Sequence, residues 1–148
     1  MKILVSACLL GRNCKYSGGN NRRESVIRYL QDKEYIPVCP EVEAGMPVPR
    51  PPVEIRDGRV ISIEGKDLDA VYRRGVAKVM EILQKEEIGL AILKAKSPTC
   101  GVHEIYDGTF TGKKIPGQGL LAQALQEAGI PILDENDLEK QWTADRQE

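Results

Sequence analysis

Histidine, phenylalanine and tryptophan each occur once in this chain, and aromatic residues fill only 5% of its 148 positions. So few rings exclude the stacking platform on which single-stranded nucleic acids are bound. Charge of one sign is missing too: 21 Lys and Arg stand against 22 Asp and Glu, a formal net charge of -1. That balance gives no whole-molecule attraction to nucleic acid or to an anionic membrane, so no stable nucleic-acid partner is expected. No apolar run approaches the ~18 residues that span a bilayer. The opening MKILVSACLLG lacks the regions of a secretory signal. These absences point to a cytoplasmic protein with no membrane partner. At this length a single domain over residues 1–148 is expected, burying roughly 70% of its extended surface.

Familiar chemical motifs are absent as well. The glycine-rich segment CLLGRNCKYSGGNN (8–21) contains neither G-x-G-x-x-G nor a phosphate-cradling G-x-x-x-x-G-K-[ST] loop, so a dinucleotide reading is weak. Nothing matches H-E-x-x-H or the nucleophile elbow G-x-S-x-G. Reactive chemistry therefore rests on four cysteines, Cys8, Cys14, Cys39 and Cys100, with a few carboxylates. None of the four forms a C-x2-C pair, so any shared site must be assembled by the fold. In a reducing compartment structural disulfides are not expected.

The pattern of apolar residues supplies that fold. MKILVSA (1–7), YIPVCP (35–40), IGLAIL (88–93) and IPIL (130–133) read as strands, and the third has the unbroken apolar run of a strand buried on both faces. Between them, Val26, Ile27 and Leu30 give a short amphipathic helix over 22–31. A longer helix, capped by Asp67 and running to about Lys85, carries Leu68, Val71, Tyr72, Val76, Val79, Met80 and Leu83 inward. Leu120 to Glu127 forms another, ended by Gly129, and Asp134 or Asn136 caps a terminal helix using Leu138 and Trp142. The proline-rich EVEAGMPVPRPPVEI (41–55) reads as a stiff loop. IRDGRVISIEG is a hairpin turning at Asp57-Gly58, and 104–119 is a hairpin or irregular excursion. Alternating strands and helices predict a three-layer, Rossmann-like α/β domain with a mostly parallel sheet.

In such a sheet the carboxyl ends of the strands share one edge, where ligands bind. Cys8 follows the first strand, Cys39 ends the second, and Cys100 lies seven residues past the third, in KAKSPTCGV (94–102). A single cysteine is most simply a small buried hydrophobe. Three at one edge, each beside Pro, Gly or Ser, are better read as a thiolate site. Three thiolates suit a soft metal or an iron–sulfur centre, and spacing alone does not separate zinc from iron–sulfur. Cys14 is either a fourth ligand or a packing residue. Glu41, two residues past Cys39, is either an ordinary loop acid or a group that positions water and moves protons. Ser97 is a turn residue or a hydrogen-bonding contact for a heteroaromatic ring. Arg50 can clamp an anion or carbonyl, while Lys94 and Lys96 read as rim charges. Asp107, Thr109 and Thr111 read as turn formers. His103, three residues from Cys100, reads as a surface turn residue rather than a general acid.

Three blocks carry a more specific likeness: VSACLLGRNCKYSGG, VCPEVEAGMPVPRPPVEI and LKAKSPTCGVHEIYDGTFTGKKIPGQG. In that order they resemble the signature blocks of the thiouracil desulfurases, a bacterial family formerly catalogued as a domain of unknown function. The resemblance covers essentially the whole chain. It implies a 4Fe-4S cluster held by Cys8, Cys39 and Cys100, with one iron open to substrate sulfur and therefore prone to oxidation. It implies Glu41 as the acid–base carboxylate and Ser97 as the substrate-contacting serine. The implied reaction is non-redox desulfuration of a thiolated pyrimidine, 2-thiouracil or a 4-thiouracil or thiouridine type, to the oxo compound with release of sulfide. Two departures stand out: the family commonly has SPSCG where this chain has Thr99, and a glycine pair where it has Ala44-Gly45. The competing expectation is a non-catalytic metal or iron–sulfur protein with a structural or sulfur-carrier role, for which Cys14 would complete a four-ligand site.

Overall fold

The structure is a computed structural model; it describes residues 1–146, with side chains through 141. Strand β1 (Lys2–Ser6) runs into a 3-10 turn at Ala7–Leu10, and helix α1 (Glu24–Leu30) leads to β2 (Tyr35–Val38). Helix α2 (Pro40–Glu43) follows, then the hairpin β3 (Val53–Arg56) and β4 (Arg59–Ser62). Helices α3 (Asp69–Met80) and α4 (Ile82–Lys85) precede β5 (Ile88–Leu93). The chain closes with β6 (Glu104–Tyr106), β7 (Lys114–Pro116), α5 (Leu120–Glu127), β8 (Ile132–Asp134) and α6 (Glu135–Arg146).

Four strands form one sheet in the order β2-β1-β5-β8, and every pairing in it is parallel. The period-2 alternation of strand side chains then sorts the core into two layers. Leu4, Ala91 and Leu93 point to one face, where they meet Tyr72, Val76 and Val79 of α3 and Leu121 and Leu125 of α5. Ile3, Val5 and Ile92 point to the other, against Val26 and Leu30 of α1 and Leu138 of α6. Burial on both faces explains why IGLAIL needs no polar alternation. Two small antiparallel hairpins, β3-β4 and β6-β7, lie outside this sheet. The first turns at Asp57 (φ 51°) and Gly58 (φ 77°), the left-handed pair that a two-residue hairpin requires.

Three expectations change. The stretch after Cys39 is not loop throughout: Pro40 occupies the first turn of α2, where its missing N–H costs nothing, and the later prolines lie beyond the helix end. The long helix is divided at Glu81, whose angles (φ -60°, ψ -27°) tighten the backbone towards 3-10 geometry without leaving the helical region. Its start is not capped by Asp67 directly; Leu68 is the boundary residue, and Asp67 accepts the Asp69 N–H at 3.0 Å. The terminal helix does bury Leu138, whereas the Trp142 side chain falls outside the described residues. No helix among the described residues is long and apolar enough to cross a membrane.

Candidate active site

Tight backbone packing fixes the two segments that leave the sheet towards this edge. Gly75 of α3 lies under α2 so closely that a Cβ there would stand 2.1 Å from the Pro40 carbonyl oxygen. Helix α2 is thereby held against α3, with Cys39 as its extended N-cap residue and Glu41 in its first turn. The loop after β5 is pinned from both sides. From outside, the free amides at the start of α5 donate into it: Leu120 N–H to Pro98 O at 3.1 Å and Leu121 N–H to Thr99 O at 2.7 Å. From inside, Ser97 Oγ accepts the amides of Thr99 and Cys100, both at 3.1 Å. SPTCG is thus a rigid turn, and Ser97 shapes it around Cys100.

A cavity of about 400 Å³ opens at this edge. Its walls include Cys8, Cys14, Cys39 and Cys100, together with Glu41, Ser97, Arg50, Lys94 and Lys96. Its size falls in the range of small-ligand sites. The Glu41 carboxylate bridges two of the segments: Oε1 accepts the Thr99 hydroxyl, and Oε2 lies 3.4 Å from Cys39 Sγ. Arg50 is buried, and its guanidinium donates to the Cys14 carbonyl at 2.8 Å and the Pro47 carbonyl at 3.2 Å. Of the expected anion or carbonyl, it is two backbone carbonyls that Arg50 clamps, joining the first loop to the proline-rich segment. Lys94 pairs at 3.0 Å with Glu135, a carboxylate with almost no exposure that also accepts the Ala95 N–H at 2.7 Å. The Lys94 contact lies outside hydrogen-bond geometry, so the attraction is ionic.

Protonation follows from burial. Cys8 and Cys100 are both pushed up by desolvation, and Cys100 is pushed further by the Glu41 charge. Cys39 is held high because its proton is hydrogen-bonded to Cys14 and because it is buried; Cys14, receiving that bond, is drawn down to about 7. Without a cation this site keeps most of its thiols neutral. Tyr72, also on the cavity wall, is raised to about 12 by burial and by Glu41, so its hydroxyl stays protonated and able to donate.

Other candidates fall elsewhere. Asp107, Thr109 and Thr111 bond one another in an exposed turn, with Asp107 Oδ1 2.6 Å from Thr109 Oγ1. His103 is exposed and pairs with Asp137 at 2.7 Å. Among the described residues, the side chains whose ligand atoms crowd within 4.8 Å are His103, Asp134 and Asp137, not the cysteines. That corrects the expectation of a ready-made cysteine metal group: the four cysteines come from three separate segments around the cavity wall and do not crowd to one point. The His/Asp group has its own explanation as the cap of α6. Asp137 N–H donates to Asp134 Oδ1 at 2.8 Å and Asp134 N–H donates back to Asp137 Oδ2 at 3.0 Å. Sequence reasoning missed Tyr72 as a wall residue, since its helical spacing marks it only as core. It also missed Thr99 as the partner of Glu41, 58 positions away.

A match to the 2-thiouracil desulfurase family runs from residue 3 to residue 137. The chain belongs to this family. It is 36% identical over 146 residues to the uncharacterized protein YbbK of Bacillus subtilis (strain 168), covering 92% of this chain and 97% of that protein. A solved structure of a 4Fe-4S-dependent thiouracil desulfidase, TudS, superposes with a TM-score of 0.88 at 34% identity, covering 99% of both chains. The likeness to these family members thus extends over the sheet, the proline-rich segment and the SPTCG turn alike.

Proposed function

We propose that this protein is an iron–sulfur-dependent desulfurase that converts a thiolated pyrimidine, such as 2-thiouracil or 4-thiouracil, to its oxo form with release of sulfide. The observation that carries this reading is the shared cavity, which gathers four thiols and Glu41 from three separate loops in a member of this family. Cys8, Cys39 and Cys100 would hold a 4Fe-4S cluster. The donor set fits: soft sulfur donors suit iron–sulfur chemistry, and ligands that bind different irons of a cubane stand farther apart than ligands of one ion. The raised thiols at Cys8, Cys39 and Cys100 would each have to give up a proton on binding the cluster. When bound, the cluster supplies a Lewis-acidic iron for the thiocarbonyl sulfur.

The chain's own residues account for the proton traffic. Glu41, with Oε2 free of the Thr99 bond, takes a proton from water as the water oxygen adds to the thiocarbonyl carbon. The C–S bond then breaks with its electron pair on sulfur as Glu41 delivers that proton to it, giving hydrosulfide, and the second water proton passes from the C–OH group to the freed carboxylate as the C=O bond forms. No oxidation state changes. Ser97 lines the same wall and would contact the pyrimidine ring by packing, since its oxygen already accepts two amides. The mostly apolar wall, including Pro51, Pro52 and Val53, would pack against the ring.

Cys14 favours a second reading. It lines the same cavity and bonds Cys39, so a closed four-thiol site would make the protein a sulfur carrier without catalysis. Anaerobic reconstitution followed by iron and sulfide analysis, then incubation with 2-thiouracil and 4-thiouracil, separates the two. Desulfuration predicts sulfide release and a full cluster in Cys14→Ser but not in Cys100→Ser. An intact cluster with no sulfide released from either compound, and lost on Cys14→Ser, establishes the carrier.

A further inference from the structure

Thr99 stands in the SPTCG turn, and its surroundings give the hydroxyl one task. The residue is fully buried. Its carbonyl accepts the Leu121 N–H at 2.7 Å, and Gly119 packs so near that a Cβ there would lie 2.4 Å from the Thr99 carbonyl carbon. The backbone is therefore locked, and the β-branch restricts the side-chain rotamer. From that fixed point Oγ1 donates to Glu41 Oε1. A hydroxyl has one proton, so the 3.4 Å contact between Thr99 and Ser97 must have Ser97 as donor. Ser97 in turn accepts the amides of Thr99 and Cys100. Donation thus runs in one direction, from backbone amides through Ser97 and Thr99 to Glu41. Oε1 is tied, and Oε2 is left beside Cys39 in the cavity.

We propose that Thr99 is the positioning residue for Glu41, fixing which carboxylate oxygen faces the reacting water and coupling Ser97 to it through one directed hydrogen bond. The proposal rests on the desulfurase reading of the site. Glu41 sits on a helix of one turn at the cavity edge, where Thr99 is the hydrogen-bond partner of Oε1 and the other contact of the carboxylate is the long 3.4 Å one from Cys39 Sγ to Oε2; without the Thr99 bond only that weaker contact opposes rotation about the side-chain torsions. Threonine and serine both supply the bond, whereas valine keeps the shape and removes it.

The test compares cluster-loaded wild type, Thr99→Val and Thr99→Ser for iron content, sulfide release from 2-thiouracil and 4-thiouracil, and the crystallographic position of Glu41. Thr99→Val is expected to keep its iron, lose about 10- to 100-fold in kcat and change KM by less than about threefold, the mark of an interaction that matters in the transition state. Thr99→Ser is expected to restore kcat to within about threefold of wild type. Unchanged kcat in Thr99→Val overturns the proposal while leaving the desulfurase reading intact. So does equal damage from Thr99→Ser, which would make the methyl group the important part. If wild type itself releases no sulfide, the desulfurase reading falls, and the crystal structures then decide the positioning role. A rotated carboxylate in Thr99→Val supports it and an unmoved one overturns it. Thr99→Ala, which adds no bulk, replaces Thr99→Val should that variant fail to fold.

Discussion

Replacing Gly75 by alanine tests how this site is built, with a sign that separates two opposing effects. In an open helix position the change stabilises by up to about 1 kcal/mol, because alanine is the better helix former. Here the new Cβ meets Pro40 O at 2.1 Å and Ala44 Cβ at 2.8 Å, while ordinary contact begins near 3.4 Å. Helix α2 must therefore retreat by about 1 Å, and overpacking of this kind costs about 1–3 kcal/mol. The steric term wins, so Tm is expected to fall by about 3–10 °C. The consequence for function is larger, because Cys39 and Glu41 flank Pro40 and move with it. A 1 Å misplacement of reacting groups can cost about 100-fold in rate. The assay is thermal unfolding of the unloaded protein beside iron per chain and sulfide release after reconstitution. Ala77→Gly, at an exposed position of the same helix, serves as the control; it loses about 1 kcal/mol of helix stability and leaves α2 in place. A Gly75→Ala protein with wild-type or higher Tm and a full cluster would refute the argument that α2 is held by this contact.

Three further outcomes are expected. Glu41→Gln keeps the carbonyl that accepts the Thr99 hydroxyl but cannot take a proton, so kcat falls by about 100- to 10,000-fold while iron content is unchanged; an active variant would remove Glu41 from the chemistry. Arg50→Lys replaces a fork spanning the Cys14 and Pro47 carbonyls by a single centre, with a stability loss of about 1.5–3 kcal/mol in denaturant titration, and no loss would show that the fork holds nothing. Zinc binding to the unloaded protein strengthens as pH rises, because Cys8, Cys39 and Cys100 lie above the usual thiol range and must each release a proton. Below those values each ligating thiol adds roughly tenfold in affinity per pH unit, read by competition with a chromophoric chelator. A pH-independent affinity would mean that the metal is bound by other groups.

The sheet was legible because parallel strands buried on both faces have a signature that little else shares. IGLAIL could hardly be anything but interior, and it is the strand between β1 and β8. The hairpin at Asp57-Gly58 was legible for a similar reason, since few residues accept two successive left-handed conformations. Helix α2 was not. A proline-rich stretch argues against helix in general, but the rule is positional, and Pro40 stands where it does no harm. The division at Glu81 left no trace in the sequence because the apolar spacing continues across it.

The candidate site divides along the same line. That the four cysteines line one cavity follows from strand ends sharing an edge, but the expected close cysteine group at those ends is not seen among the described residues. What sequence could not place is anything set by side-chain contact between segments. Arg50 reads as a loop cation that clamps an anion or a carbonyl, and which carbonyls it takes, those of Cys14 and Pro47, is visible only in the folded chain. Ser97 reads as a turn residue or a ring contact, and its oxygen accepts two amides of its own turn. Both cases follow from one cause: a buried polar group must be paired, and the nearest partners are backbone groups of the loops that carry the site. The polar side chains of this cavity therefore serve first as its scaffold. Chemistry is left to the groups held only by weak sulfur contacts, the thiols themselves and Glu41 Oε2, which lies 3.4 Å from Cys39 Sγ.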